Sequence, residues 1–200
     1  MADEELRLVA ASQQGDVDAF NQLVRLYESR VFNLCYRMLG DRESAADAAQ
    51  EAFISAYRNL NRFRGGSFRS WLFRIATNLC YDVLRARKRK PATSLDAALA
   101  AEDDTAYFDP PDPGETPDET ALRQELGAAI QQALQQLPED QRIVLVLCDI
   151  QGFAYDEIAR ITGNNLGTVK SRLSRGRARL REVLKAGELL PARYRHGDED

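Results

Sequence analysis

Trp71, Arg74, Asn78, Tyr81 and Arg85 follow one another at steps of three and four residues, which places them on one face of a single helix. That face mixes aromatic rings, guanidinium groups and an amide. Just before it, Phe63, Arg64, Ser67, Phe68 and Arg69 surround the pair Gly65-Gly66, and just after it comes Arg87-Lys88-Arg89-Lys90. Rings offer stacking platforms to unstacked bases, Arg and Lys neutralise phosphates, and Asn reads a base edge. The combination suits single-stranded or opening DNA better than an intact duplex. A blander reading puts Trp71 and Phe73 in the core and the cations on a solvated face. Nine Lys and Arg against one acid in residues 61–90 weigh for nucleic acid.

A second constellation lies near the other end of the chain. Residues 153–161, Phe-Ala-Tyr-Asp-Glu-Ile-Ala-Arg-Ile, form a short amphipathic helix. Thr162-Gly163-Asn164-Asn165 supplies a turn, with Gly and Asn suited to positive φ. A further helix opens at Leu166-Gly167-Thr168, held inward by Val169, Leu173, Gly176 and Leu180. Thr168, Lys170, Ser171, Ser174, Arg175 and Arg177 are then candidates for DNA contact. This is a helix-turn-helix pattern, whose second helix fits a major groove. An ordinary helical hairpin with a charged face is the competing reading.

Other chemistries find little support. The only histidine, His196, stands near the C-terminus, which argues against a His-based metal site or a Ser-His-Asp machine. No Gly-rich phosphate loop, paired-carboxylate site or metal-ligand spacing appears, so neither an enzyme nor a cofactor is expected. Cys35, Cys80 and Cys148 sit in apolar stretches and read as inert buried thiols rather than a disulfide framework. No apolar run approaches a membrane span, and the acidic start Met-Ala-Asp-Glu-Glu is unlike a secretory signal, so a cytoplasmic protein is expected.

These residues need helices to position them. Phe20, Leu23, Val24, Tyr27, Val31, Leu34, Cys35 and Met38 trace one apolar helical face that Gly40 ends. A second helix is predicted over 43–60 with Ala49, Phe53, Ala56, Tyr57 and Leu60 inward. Its opposite face, Asp47, Gln50, Glu51, Ile54 and Arg58, reads by itself as solvated surface. A third runs from Ser67 or Ser70, either of which can cap it, to about Lys88, with Leu72, Ile75, Ala76, Leu79 and Val83 as its stripe. Helices near 120–136 and 139–149 and two shorter ones follow.

Between the two sets, residues 91–119 hold nine acids, no base and five of the seven prolines. Such a strip reads as a flexible linker that can neither hold a helix nor bury a core. The expected architecture is all-α: a helical domain at 1–90, the linker at 91–119, a helix-turn-helix domain at 120–187 and a polar tail at 188–200. The modules are expected to be tethered rather than fused. The net charge of −4 conceals the two basic blocks on either side of the acidic strip.

Taken together, the modules resemble a bacterial RNA polymerase sigma factor of the extracytoplasmic-function (ECF) type. The runs that carry the likeness are Gly15-Asp16 with Ala19-Phe20, the stretch Asp47–Phe53, the stretch Ser67–Asn78, the stretch Leu137–Arg142 and the stretch Gly167–Leu173. The resemblance implies that Asp47, Gln50, Glu51, Ile54 and Arg58 dock on the clamp helices of the polymerase β′ subunit, which overrides the solvated-surface reading. It implies that Phe63, Arg64, Ser67, Phe68, Arg69, Trp71, Arg74, Asn78, Arg85 and Lys88 hold melted −10 DNA. It also implies that the helix from Thr168 to Arg179 reads the −35 element, with the polymerase β flap touching the same domain. The acidic linker would thread toward the RNA exit path. Family members are often held by an anti-sigma factor, although no residue here points to one, and the free chain is expected to be a monomer. In this chain the loop 64–67 is one residue shorter than the commonest family form. The rival from another class, a stand-alone regulator of duplex operators, accounts for 153–180 but leaves 67–88 without a purpose.

Overall fold

The computed structural model describes residues 2–89 and 116–186, and every element among them is helical. In order they are α1 (Ala2–Gln13), α2 (Val17–Leu39), α3 (Arg42–Asn59), α4 (Phe68–Arg89), α5 (Pro117–Gln135), α6 (Glu139–Leu145), α7 (Tyr155–Thr162) and α8 (Leu166–Ala186). A 3₁₀ turn, Leu60–Arg62, follows α3, and a π-helical turn, Val146–Ile150, extends α6. Helix α1 is an addition to the sequence-based expectation, and among its described apolar side chains only Val9 is fully buried.

Helix α2 starts where the Asp16 carboxylate accepts the Ala19 N–H at 3.0 Å. It buries the expected face, with Val24 at its half-buried margin. In α3 the inward face is a stripe of small residues, Ala45, Ala48, Ala49, Ala52 and Ala56, which lets α3 lie close on α2. Tyr57, expected inward, is 43% exposed and rests its ring 4.9 Å from that of Phe20. The alanines take the centre of the interface and leave the larger ring at its edge. Of the two cap candidates for α4, Ser67 serves, its hydroxyl accepting the Ser70 N–H at 3.0 Å. The buried seam of α4 is rotated from the predicted stripe: Phe73, Thr77, Cys80 and Leu84 are buried, while Ile75, Leu79 and Val83 are only partly so. The rotation follows from packing on two sides, against α2 and α3 and also against α7.

The last residues of the expected linker begin α5, and Thr116 and Glu119 cap it reciprocally. The rest of the linker and the whole tail lie outside the described residues. The expected helix 139–149 is α6 with its π turn. The helix-turn-helix candidate has one short helix, α7, but α8 is 21 residues long rather than short. Val169, Leu173 and Gly176 are buried as expected, with Leu180 packed beside them.

The expectation that the modules are only tethered is corrected: a single apolar cluster runs through both. The cause lies at the C-terminal end of α2, where Tyr36 O takes the Gly40 N–H at 2.9 Å but the carbonyls after it have no partner within the helix. Gln131 donates to Tyr36 O at 2.9 Å, Gln135 to Arg37 O at 3.0 Å, Arg142 to Met38 O at 2.5 Å and Arg87 to Leu39 O at 2.8 Å. Three of those four donors belong to the second module. Arg37, 6% exposed, returns the contact by donating to Gly127 O and Gln131 Oε1 at 3.3 and 3.2 Å. Burial pushes its guanidinium down to about 10, so it stays charged at neutral pH. Gly40, at φ 87°, turns the chain away here, and a Cβ on it would meet Gln135 Cδ at 2.9 Å.

Gly176 has a different reason to be glycine, because a Cβ there would lie 2.9 Å from Leu145 Cδ1. Gly176→Val is expected to cost about 1–3 kcal/mol by overpacking α8 against α6. Urea unfolding checks this, and an unchanged midpoint would mean that α6 gives way freely.

Candidate functional site

Two consecutive residues with positive φ, Gly65 at 99° and Gly66 at 90°, make the loop before α4. The rings around it form a cluster rather than an open platform. Phe63 and Phe68 meet edge to face at 5.9 Å, with Trp71 5.4 and 5.7 Å from them and Tyr27 6.0 Å from Phe68. Phe63 and Phe68, expected to touch DNA, are 8% and 1% exposed, so they support the loop from within. Half-buried Trp71 is the member of that cluster left to offer a surface. Gln13 fixes the loop entrance, donating to Leu60 O and Phe63 O at 3.0 Å each.

Arg64, Ser67, Arg74 and Asn78 are exposed, and Arg64 and Arg74 have no ion pair among the described residues. Arg85 is also exposed and pairs with Asp82 one turn away. Two other residues expected on the DNA face are engaged elsewhere. Arg69 donates to Gln151 O and lays its guanidinium carbon 3.9 Å from the centre of the Phe153 ring. Lys88 Nζ lies 3.0 Å from Glu139 Oε1. Both partners come from the second module. Tyr81 is half-buried, and that burial pushes its phenol up to about 12.

On α8, Asn165 Oδ1 accepts the Thr168 N–H at 2.8 Å and starts the helix. Thr168 is half-buried, while Lys170, Ser171, Ser174 and Arg175 are exposed. Arg175 leans along the helix, donating to Ser171 Oγ at 3.2 Å, and so extends from a defined position. Arg177, expected to meet DNA, is instead forked onto Asp149, with Nε to Oδ2 at 3.0 Å and Nη2 to Oδ1 at 2.5 Å. That pair holds the Asp149 carboxyl below the usual carboxylate range. Arg177 thus braces α8 against the π turn.

On α3 the polar face is confirmed as surface, for Asp47, Gln50, Glu51, Ile54 and Arg58 are all exposed. Beside it runs a groove of about 500 Å³ between α2 and α3, lined by Val24, Phe32, Ala49, Phe53 and Ile54. Exposed Glu28, Arg42 and Gln50 border it. A surface of this kind accepts a helix that brings apolar side chains between polar ones.

Reading along the sequence missed the residues that join the modules: Arg37, Gln131, Gln135 and Arg142. Their partners are 90 or more positions away, and no local spacing announces them. Cys35 and Cys80 are buried and Cys148 half-buried, all as free thiols. Among the described residues no group of side chains could hold a metal ion, and no helix is long and apolar enough to cross a membrane.

Family models for Sigma-70 region 2 and Sigma-70 region 4 match residues 23–90 and 127–180. The ECF RNA polymerase sigma factor SigW of Bacillus subtilis is 43% identical over 175 residues, covering 86% of this chain and 92% of SigW. The RNA polymerase sigma-H factor of Pseudomonas aeruginosa is 40% identical over 188 residues, covering 92% and 95%. Among solved structures, the sigma factor RpoE of Bartonella quintana, in complex with the anti-sigma factor NepR, matches with a TM-score of 0.64 at 29% identity. That match covers 84% of this chain and 98% of RpoE. Sigma factors direct promoter-specific initiation by RNA polymerase and are not enzymes. With both regions matched, and relatives this similar along nearly their whole length, the chain belongs to the ECF family of RNA polymerase sigma factors.

Proposed function

We propose a division of labour among three surfaces. The exposed face of α3, Asp47, Gln50, Glu51, Ile54 and Arg58, docks on the β′ clamp helices, and the adjoining groove receives apolar side chains from them. Trp71, Arg64, Arg74 and Asn78, with Ser67 and Arg85, hold the opened −10 strand. The α7–turn–α8 unit is a helix-turn-helix whose Lys170, Ser171, Ser174 and Arg175 face the −35 duplex, with Thr168 at the helix start. The β flap contacts the same module, and the acidic linker runs toward the RNA exit path. The observation that carries this reading is the presence in one chain of two exposed cationic helix faces, one on ring-bearing α4 and one on α8 after its turn from α7. Energy for melting comes from base capture and polymerase contacts, without nucleotide hydrolysis. The protein acts in the cytoplasm, is a monomer when free and, by likeness to RpoE, has an anti-sigma factor as a further partner.

The test is binding of purified core polymerase by the full chain and by an Asp47→Ala/Gln50→Ala/Glu51→Ala variant. Saturable binding weakened at least tenfold in the variant is expected. A folded protein that ignores polymerase yet grips a specific duplex would be a stand-alone regulator instead. At the other surface, Arg175→Ala is expected to weaken −35 occupancy by about 1–3 kcal/mol. Footprinting of the holoenzyme measures it, and unchanged occupancy would remove Arg175 from the readers.

A further inference from the structure

The run Gly15-Asp16 with Ala19-Phe20 stands out in the sequence, yet none of the three proposed surfaces contains it. In the structure it is a corner of fixed shape between α1 and α2. The Gln14 N–H donates to Ala11 O and the Gly15 N–H to Ser12 O, each at 3.0 Å, and the Asp16 N–H donates to Ala11 O at 3.1 Å. Gly15 takes φ 96°, a value that residues with a Cβ rarely adopt, and Asp16 then caps α2. Phe20, in the first turn of α2, sets its ring on Tyr57 near the end of α3. Gln13, the last residue of α1, is thereby delivered to a defined place.

That place is the entrance of the loop before α4. The Gln13 amide nitrogen lies 3.0 Å from both Leu60 O and Phe63 O, and its two hydrogens serve one carbonyl each. A peptide unit is planar, so holding Phe63 O also fixes the nitrogen of Arg64 and the direction in which that residue leaves. The middle of the loop has no such hold. Among the described residues Arg64, Gly65 and Gly66 make no hydrogen bond, and a Cβ on either glycine would meet no atom within 4 Å. At the far end the Ser67 hydroxyl caps α4. The path of the loop backbone is therefore set from its two ends, and α1 supplies one of them.

We propose that Gln13 is a positioning residue for the opened −10 strand, its amide directing Arg64 in the loop that precedes Trp71. The inference rests on the −10 assignment above and adds α1 to the parts that shape that surface, although α1 itself need not touch DNA. Losing the amide frees the backbone of Arg64, Gly65 and Gly66. It leaves the rings of Phe63, Phe68 and Trp71 packed on one another, so the site loosens without the module unfolding.

The probe is a duplex that the parent holoenzyme selects from a pool randomised over the −35 and −10 positions, with 2-aminopurine in its −10 segment. Gln13→Met keeps the length of the side chain and removes the donor. Its holoenzyme is expected to bind the closed duplex as the parent does and to open it about fivefold more slowly, the factor one lost hydrogen bond gives. Gln13→Glu, which turns a carboxylate toward the two carbonyls, is expected to open it more slowly still. Arg64→Ala is the reference. Because Gln13 acts through Arg64, Gln13→Met should slow the Arg64→Ala holoenzyme less than it slows the parent. Equal slowing of the two, or a loss of closed binding in place of opening, overturns the proposal. Normal opening by both Gln13 variants while Arg64→Ala is slow also overturns it and leaves the −10 assignment standing. Normal opening by all three removes both. Should Gln13→Glu fail to fold, Gln13→Met alone still decides.

Discussion

Arg142→Ala is expected to lower the unfolding free energy by about 3–5 kcal/mol, the sum of several carbonyls left buried without a donor. Arg142 is 5% exposed and spends its guanidinium on four acceptors. Nη1 serves Met38 O at 2.5 Å and Gln135 Oε1 at 2.6 Å, and Nη2 serves Gln135 O at 2.8 Å and Leu137 O at 3.1 Å. One side chain thereby closes the turn between α5 and α6 and fastens it to α2. Lysine keeps the charge but lacks the planar fork, so Arg142→Lys recovers only part of the loss. For a chain of this size the change lowers Tm by roughly 10 °C. Trp71 is the sole tryptophan and lies in the first module, so its fluorescence reports there on a change made in the second. A single transition, shifted equally by fluorescence and by circular dichroism, is the expected result. A loss below about 1 kcal/mol would mean that water replaces the guanidinium at no great cost.

Phe73→Ala should cost a comparable amount, about 3–5 kcal/mol, for a different reason. Phe73 is completely buried, and its ring meets Phe153 edge to face at 4.9 Å, with the Arg69 guanidinium carbon 5.9 Å from its centre. Truncation opens a cavity in α4 and removes the surface against which Phe153 and Arg69 are stacked. Guanidinium unfolding followed by both probes checks the value. Phe73→Leu, which restores most of the volume, should recover more than half, whereas equal losses for both variants would show that ring geometry rather than volume matters.

The two sites differ in how far the sequence announces them. Phe73 stands in a run of apolar residues, but the stripe drawn through Leu72, Ile75, Leu79 and Val83 missed it, because α4 is packed on two sides and its true seam is wider. In α2, with large apolar residues at regular steps and one packed face, the pattern and the buried set nearly coincide. In α3 the contact is made by alanines, of which the expected inward face included Ala49 and Ala56 but not Ala45, Ala48 or Ala52, small residues that stand out less than Phe53 and Tyr57. Arg142 was visible as part of the run Leu137–Arg142, yet nothing local tells that its partner Met38 lies 104 residues earlier. The cations show the same limit. Arg74 and Arg175 are exposed, while Arg69, Lys88 and Arg177 are held by other groups. Residue type and spacing identify a basic face, but which of its members is engaged depends on donors and acceptors brought from elsewhere in the chain.

The π turn at Val146–Ile150 sets the phase of everything after it. Its widened loop, with Gln151 N–H donating to Val146 O at 2.9 Å, holds one residue more than an α-helical turn would. Each residue of an α-helix advances about 100° around the axis. Removing one residue from this turn would therefore swing Asp149 away from Arg177 and aim Phe153 away from Phe73. Chain length here works as an angular setting, so a deletion of one residue would be felt more than many substitutions at the same positions.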